Sequence, residues 1–246
     1  MTIRDIAVAF GIEVDQKSVS AAENAIKGVK NMASKLLGAI GIGFSIAGIA
    51  NLAEAAADAE ALKSQFSQVF GDLEQDASDK LDKIADDTGV TVNRMKGSFT
   101  QIAAFAKTTG MEQADALDIA DRSMKAVADS AAFYDRSIED VTNSLQSFLK
   151  GNFENDAALG LSCTETTRNT AANALYGKSF KDLSEAEKQL TLLQMVEDAN
   201  KASGAIGQAA RESDTWTNQL GNLKQNVQDL KAAAGNAFLK PAVMVL

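Results

Sequence analysis

Histidine is absent from this sequence of 246 residues. Its absence removes Ser-His-Asp and Cys-His catalysis and every histidine-ligated zinc or iron site. Cysteine occurs once, at Cys163, which forbids an intrachain disulfide and any metal site built on clustered thiolates. Proline also occurs once, at Pro241, and aromatic residues make up only 6%. A proline inside a helix costs roughly 3 kcal/mol, so its near absence leaves long helices unbroken. The composition therefore points to an all-α protein.

Positive charge is scarce too. The net charge is −9, which argues against specific binding to duplex nucleic acid, because that affinity comes from Lys and Arg neutralising phosphates. Residues 1–53 carry a net +1, and −10 falls on the remainder. The start, Met1-Thr-Ile-Arg-Asp5, lacks the basic flank and apolar run of a secretory signal, so cytoplasmic synthesis and retention are expected.

Three regions are expected along the chain. In residues 1–53, Ile6, Val8, Phe10, Ile12 and Val14 alternate with smaller or polar residues, the period of a short β-strand with one apolar face. Two readings fit it: pairing with a partner edge, in another copy or another protein, or a short arm against the first helix. Ser18 then caps an amphipathic helix carrying Val19, Ala22, Ile26, Val29, Ala33 and Leu36, with lysines on its polar face. From Leu36 to Ala53, eighteen residues pass without a charge, at the lower limit for crossing a bilayer. Gly38, Gly41, Gly43 and Gly48, with Phe44 among them, make this the candidate membrane-contacting segment. A buried, glycine-flexed core segment or helical hairpin fits the same residues. Their spacing is not that of a nucleotide-binding loop.

Residues 54–160 read as a helical bundle. Apolar stripes run through Ala55–Leu73, Val92–Ala106 and Leu117–Tyr134, punctuated at Thr88-Gly89 and Gly110. Thr91 is placed to cap, and Ser137-Ile-Glu-Asp140 has the outline of a capping box before Ile138, Val141, Leu145 and Phe148.

Within residues 161–246, the stretch as far as Lys181, continuing from Gly151, reads as an irregular connector. Ser184-Glu-Ala-Glu187 opens a helix that should stop near Gly204. Trp216, Leu220, Leu223, Val227, Leu230, Ala234 and Ala237 then run in heptad register up to Pro241. Such a narrow seam suits a coiled coil or a helix laid on a partner, and Trp216 is either a packing anchor or ordinary core. The expected fold is thus an all-α helical bundle with a short N-terminal strand and a long C-terminal heptad helix. Carboxylates are spread along amphipathic helices as a solvated face, and Cys163 without histidine reads as a small buried residue. No catalytic, cofactor-binding or metal-binding residue is named; the expectation is a non-enzyme without cofactors.

One ordered set of residues carries a family likeness. It comprises Ala158-Leu-Gly-Leu-Ser162, Gly177-Lys178, Leu183-Ser-Glu-Ala-Glu-Lys188, Ala209-Ala-Arg-Glu-Ser-Asp-Thr215, Asn218-Gln-Leu220, Asn222-Leu-Lys224 and Gly235 through Pro241. In this order the set resembles the conserved segment of phage tail tape measure proteins, over about 85 residues ending at Val243. The N-terminal half resembles them more loosely. The resemblance implies a structural component of the tail or of a tail-like particle, around which tail tube protein polymerises. It implies tail assembly chaperones coating the helices, contacts with tail tip or baseplate proteins, and several self-associated copies. The protein would occupy the host cytoplasm during assembly and the virion tail lumen afterwards, then leave ahead of the DNA with transient contact with the host envelope. Under it, the glycine-rich segment would insert in the envelope or be held by a chaperone. Trp216, Leu220, Leu223, Val227 and Leu230 would form the association seam. Family members are far longer: fully helical, this chain would span only about 370 Å. A fragment, a truncated frame or the ordered part of a longer chain is therefore expected, with the ruler region missing. An α-helical pore-forming or injected toxin is the alternative that the hydrophobic stretch and its amphipathic flanks also suit.

Overall fold

The computed structural model describes residues 46–154 and 156–244. The expected strand at 6–14, the lysine-bearing helix after Ser18, and Gly38, Gly41, Gly43 and Phe44 lie outside the described residues. Among the described residues every regular element is helical and none is a strand. The helices are α1 (Ile46–Phe70), α2 (Glu74–Thr88), α3 (Val92–Thr108), α4 (Gln113–Phe133), α5 (Ile138–Leu149), α6 (Glu165–Tyr176), α7 (Glu185–Ser203), α8 (Gln208–Arg211) and α9 (Trp216–Met244). Gly48 falls in the first turn of α1. No helix among them is long and apolar enough to cross a membrane.

The chain separates into two compact units, Leu62–Leu223 and Met1–Ala61 with Lys224–Leu246. Position 160, read from the sequence as the end of the bundle, lies inside the first. There α4 is the central helix, packed by α2, α3, α5, α7 and α8. A helix with so many neighbours needs small side chains for close approach. Ala116, Ala120, Ala126, Ala128 and Ala131 supply them, between the larger Leu117, Ile119, Met124 and Val127. Neighbouring helices present stripes at spacings of three and four: Ala77, Leu81 and Ile84 from α2, Met95, Phe99, Ile102 and Ala106 from α3, and Leu192, Leu193 and Val196 from α7. Phe66, Phe70 and Phe99 form an aromatic knot with Phe70 4.7 Å from Phe66 and 5.3 Å from Phe99 between ring centroids. Burying each such ring stabilises the unit by about 2–3 kcal/mol.

Local chemistry sets the ends. At α7 both halves of the expected box form: Glu187 N–H donates to Ser184 Oγ (3.2 Å), and Ser184 N–H donates to Glu187 Oε2 (2.8 Å). At α5 Ser137 Oγ accepts from Asp140 N–H at 3.1 Å, but the shorter Asp140 side chain makes no return bond. The irregular connector expected over 151–181 instead contains α6 and two 3₁₀ turns, Asp156–Leu159 and Phe180–Asp182. This correction has a simple cause. Only Ala172 of α6 is buried, so the helix writes no apolar stripe into the sequence. It is started by a Thr164–Thr167 capping box, a pairing less conspicuous than Ser with Glu.

Candidate association surface

In the larger unit, helix α9 turns Asn218, Gly221 and Asn222 toward its neighbours, and Leu220 and Leu223 stand exposed. Within the larger unit its first turns lie against the link between α2 and α3. Asn218 and Asn222, one helical turn apart, both aim their amides at the same carbonyl. Asn222 Nδ2–H donates to Gly89 O at 2.7 Å and Asn218 Nδ2–H donates to it at 3.1 Å. Asn222 Oδ1 accepts from Thr91 N–H at 3.2 Å, and Asn218 Nδ2–H also reaches Ser213 O at 3.0 Å. A carbonyl at a helix end lacks its intrahelical donor, and two side-chain amides supply the replacement here.

Arg94 of α3 completes the junction. It donates from Nη1 to Asn218 Oδ1 at 3.3 Å and makes a two-pronged pair with Glu139 at 2.8 and 3.1 Å. Two glycines make room. Gly89 sits at φ +69°, where a Cβ would lie 2.6 Å from that of Ser213; Gly221 has the Arg94 guanidinium where its own Cβ would stand. In the smaller unit, Ala232 and Ala234 are buried and Gly235 lies against the Leu52 backbone and Ala56.

The sequence-predicted seam sits mostly on the opposite side. Leu220 is 39% exposed, Leu223 57% and Leu230 42%, while Val227 is half-buried. The side chain of Trp216 lies outside the described residues. Ala234, assigned to the same seam, is buried. The inward residues Asn218, Gly221 and Asn222 were not singled out from the sequence as a site. Their spacing of three and four was the available signal, a second stripe made of amides and glycine in place of leucine.

Other arrangements offer less. Beside the junction a cleft of about 230 Å³ is lined by Ala128, Ala131, Ala132 and Ala209 together with Arg94, Asp135, Arg136 and Glu212. That volume falls short of the several hundred Å³ usual for small-molecule sites. Cys163 is half-buried; burial pushes its thiol up, against the opposing pull of Arg168, whose Nη1 lies 3.6 Å from Sγ. That is the direction opposite to an activated thiolate. Among the described residues no group of three metal-ligating side chains is placed to hold an ion. No protein-family model, curated protein or solved structure matches the chain.

Proposed function

We propose that this chain is the N-terminal portion of a phage tail tape measure protein, a structural scaffold that packs against tail tube protein and assembly chaperones and performs no bond chemistry. The ordered set of residues from Ala158 to Val243 carries the reading. It is supported by where those residues stand. Gly160 lies under the Tyr134 ring, Ser184 and Glu187 open α7, and Asn218 and Asn222 seat α9 on the α2–α3 link. A helix held by its amides and showing leucines outward suits a protein whose work is association.

The test is co-expression with a phage tail tube protein and a tail assembly chaperone. Co-purification that Leu223→Gln and Leu230→Gln weaken together is the expected result. Retention of neither protein, with dye leakage from liposomes by the chain alone, would overturn the reading in favour of a pore former.

A further inference from the structure

We propose that Arg168 anchors a side-chain carboxylate of another protein. The residues concerned all lie in the larger unit and none belongs to α9, so failure here would leave the tape measure reading standing. Arg168 closes the first turn of α6, and its guanidinium is held over two rings. Its Cζ lies 4.3 Å from the ring centroid of Phe153 and 5.7 Å from that of Phe180. Both rings pack against the core. Phe153 meets the buried Phe148 edge-on at 5.5 Å, and the Phe180 N–H donates to Asn169 Oδ1 at 2.9 Å. Aromatic faces attract a cation, so the half-buried guanidinium is set in place before any partner arrives.

What it lacks is a countercharge. Arg94 and Arg122 are half-buried too, and each makes a two-pronged pair: with Glu139 at 2.8 and 3.1 Å, and with Glu197 at 2.9 and 2.6 Å. Among the described residues no carboxylate lies within ion-pair distance of Arg168. Its Nη1 reaches only the Cys163 carbonyl at 3.5 Å and Sγ at 3.6 Å, and Nε and Nη2 donate to no group among the described residues. Asp156, whose charge acts on the same thiol, accepts the Cys163 N–H through Oδ2 at 2.6 Å. A guanidinium presents five N–H donors in a planar fork that matches a carboxylate. Here most of that fork is unused, and the ordering of a long side chain, a usual cost of pairing, is already complete. Because the group is recessed beside two rings, a carboxylate on a side-chain stem suits it better than a main-chain terminus.

The experiment follows the arginine Nε–H signals of the full chain by NMR at low salt. The probes are glutamate acetylated and amidated so that only its side chain is charged, the matching glutamine, acetylglycine and inorganic phosphate. Capped glutamate should move the Arg168 signal to saturation, with a midpoint about threefold to tenfold lower than for Arg136. Arg136 is the control, being exposed and also without a carboxylate at ion-pair distance. The paired Arg94 and Arg122 should hold still, and capped glutamine should move none of them. The neighbouring Phe180 N–H should report the same saturation in the parent chain and in C163S. It should report none in R168K, which keeps the charge and loses the fork. Equal, unsaturated drift of Arg168 and Arg136 would overturn the anchor, and undiminished binding in R168K would overturn the argument from the fork. Tighter binding of acetylglycine would overturn the side-chain source in favour of a chain terminus. Tighter binding of phosphate would overturn it in favour of a phosphorylated partner.

Discussion

Replacing Asn222 by alanine should damage the fold more than replacing Asn218, and the pair together should cost more than their sum. Asn222→Ala removes the 2.7 Å bond to Gly89 O and strands the Thr91 N–H, whose acceptor was Asn222 Oδ1. Losing a bond costs about 1 kcal/mol, and leaving a part-buried N–H without an acceptor adds about 1–2, for a total of about 2–3 kcal/mol. Asn218→Ala leaves every former partner with another. Gly89 O keeps Asn222, Ser213 O keeps Gln219 at 3.1 Å, and Arg94 keeps Glu139. Its cost should be about 1 kcal/mol. In the double variant Gly89 O loses both donors at once, so a coupling of about 1 kcal/mol should appear beyond additivity. Urea unfolding of the four chains, followed by circular dichroism, gives all the terms. Leu223→Gln, on the outward face, serves as the control and should change stability by less than about 0.5 kcal/mol. A coupling below about 0.5 kcal/mol, or a larger loss at Asn218, would refute the shared-carbonyl argument.

Asp135 is the only non-glycine residue at positive φ (+50°) among the described residues, where α4 closes with Arg136 N–H donating to Ala131 O at 2.9 Å. Asp135→Gly should stabilise by about 0.5–1 kcal/mol and raise Tm by about 1–4 °C; a fall in a thermal melt would mean the side chain compensates its own strain. Asp129 accepts from Gly207 N–H at 2.8 Å and Ala209 N–H at 3.1 Å, standing in for a side-chain cap that α8 lacks. Asp129→Ala should cost about 1–3 kcal/mol and speed amide exchange at Gly207 and Ala209, and unchanged exchange there would contradict it. Hydrogen bonds to the Ser184 backbone and then to its side chain, with Lys178 adding, hold the Glu187 carboxyl below its usual range. A depressed value means the contribution is full above the ordinary range and is lost as pH falls through the lowered one. Urea midpoints taken from about pH 6 to about pH 3 should therefore fall less steeply for Glu187→Gln than for the parent chain.

Some of this was open to reading because it is written in one residue or one period. Ser184 and Glu187 specify a cap, Gly89 stops α2, and Phe99 with Ile102 marks a buried stripe. Helix α6 was not, since its position follows from Thr164 and Thr167 and not from an apolar face. The orientation of α9 was hidden for another reason. Periodicity locates leucines on one side of a helix, but it does not say whether that side meets its own chain. Here the inward contacts are amide to carbonyl and glycine to guanidinium, and hydropathy gives such contacts no weight. The central place of α4 was half-visible: its alanines announced a helix, and only packing explains why they are so many.

The two sides of α9 should answer to different selections. A screen for soluble, correctly folded chains would discriminate among substitutions at Asn218, Gly221 and Asn222 and be nearly blind to Leu223 and Leu230. On the proposed association role, a screen for capture of a binding partner would tolerate little at those leucines. One stretch of about three turns would then yield two non-overlapping maps of tolerance, and neither map alone would reveal that the stretch has two jobs.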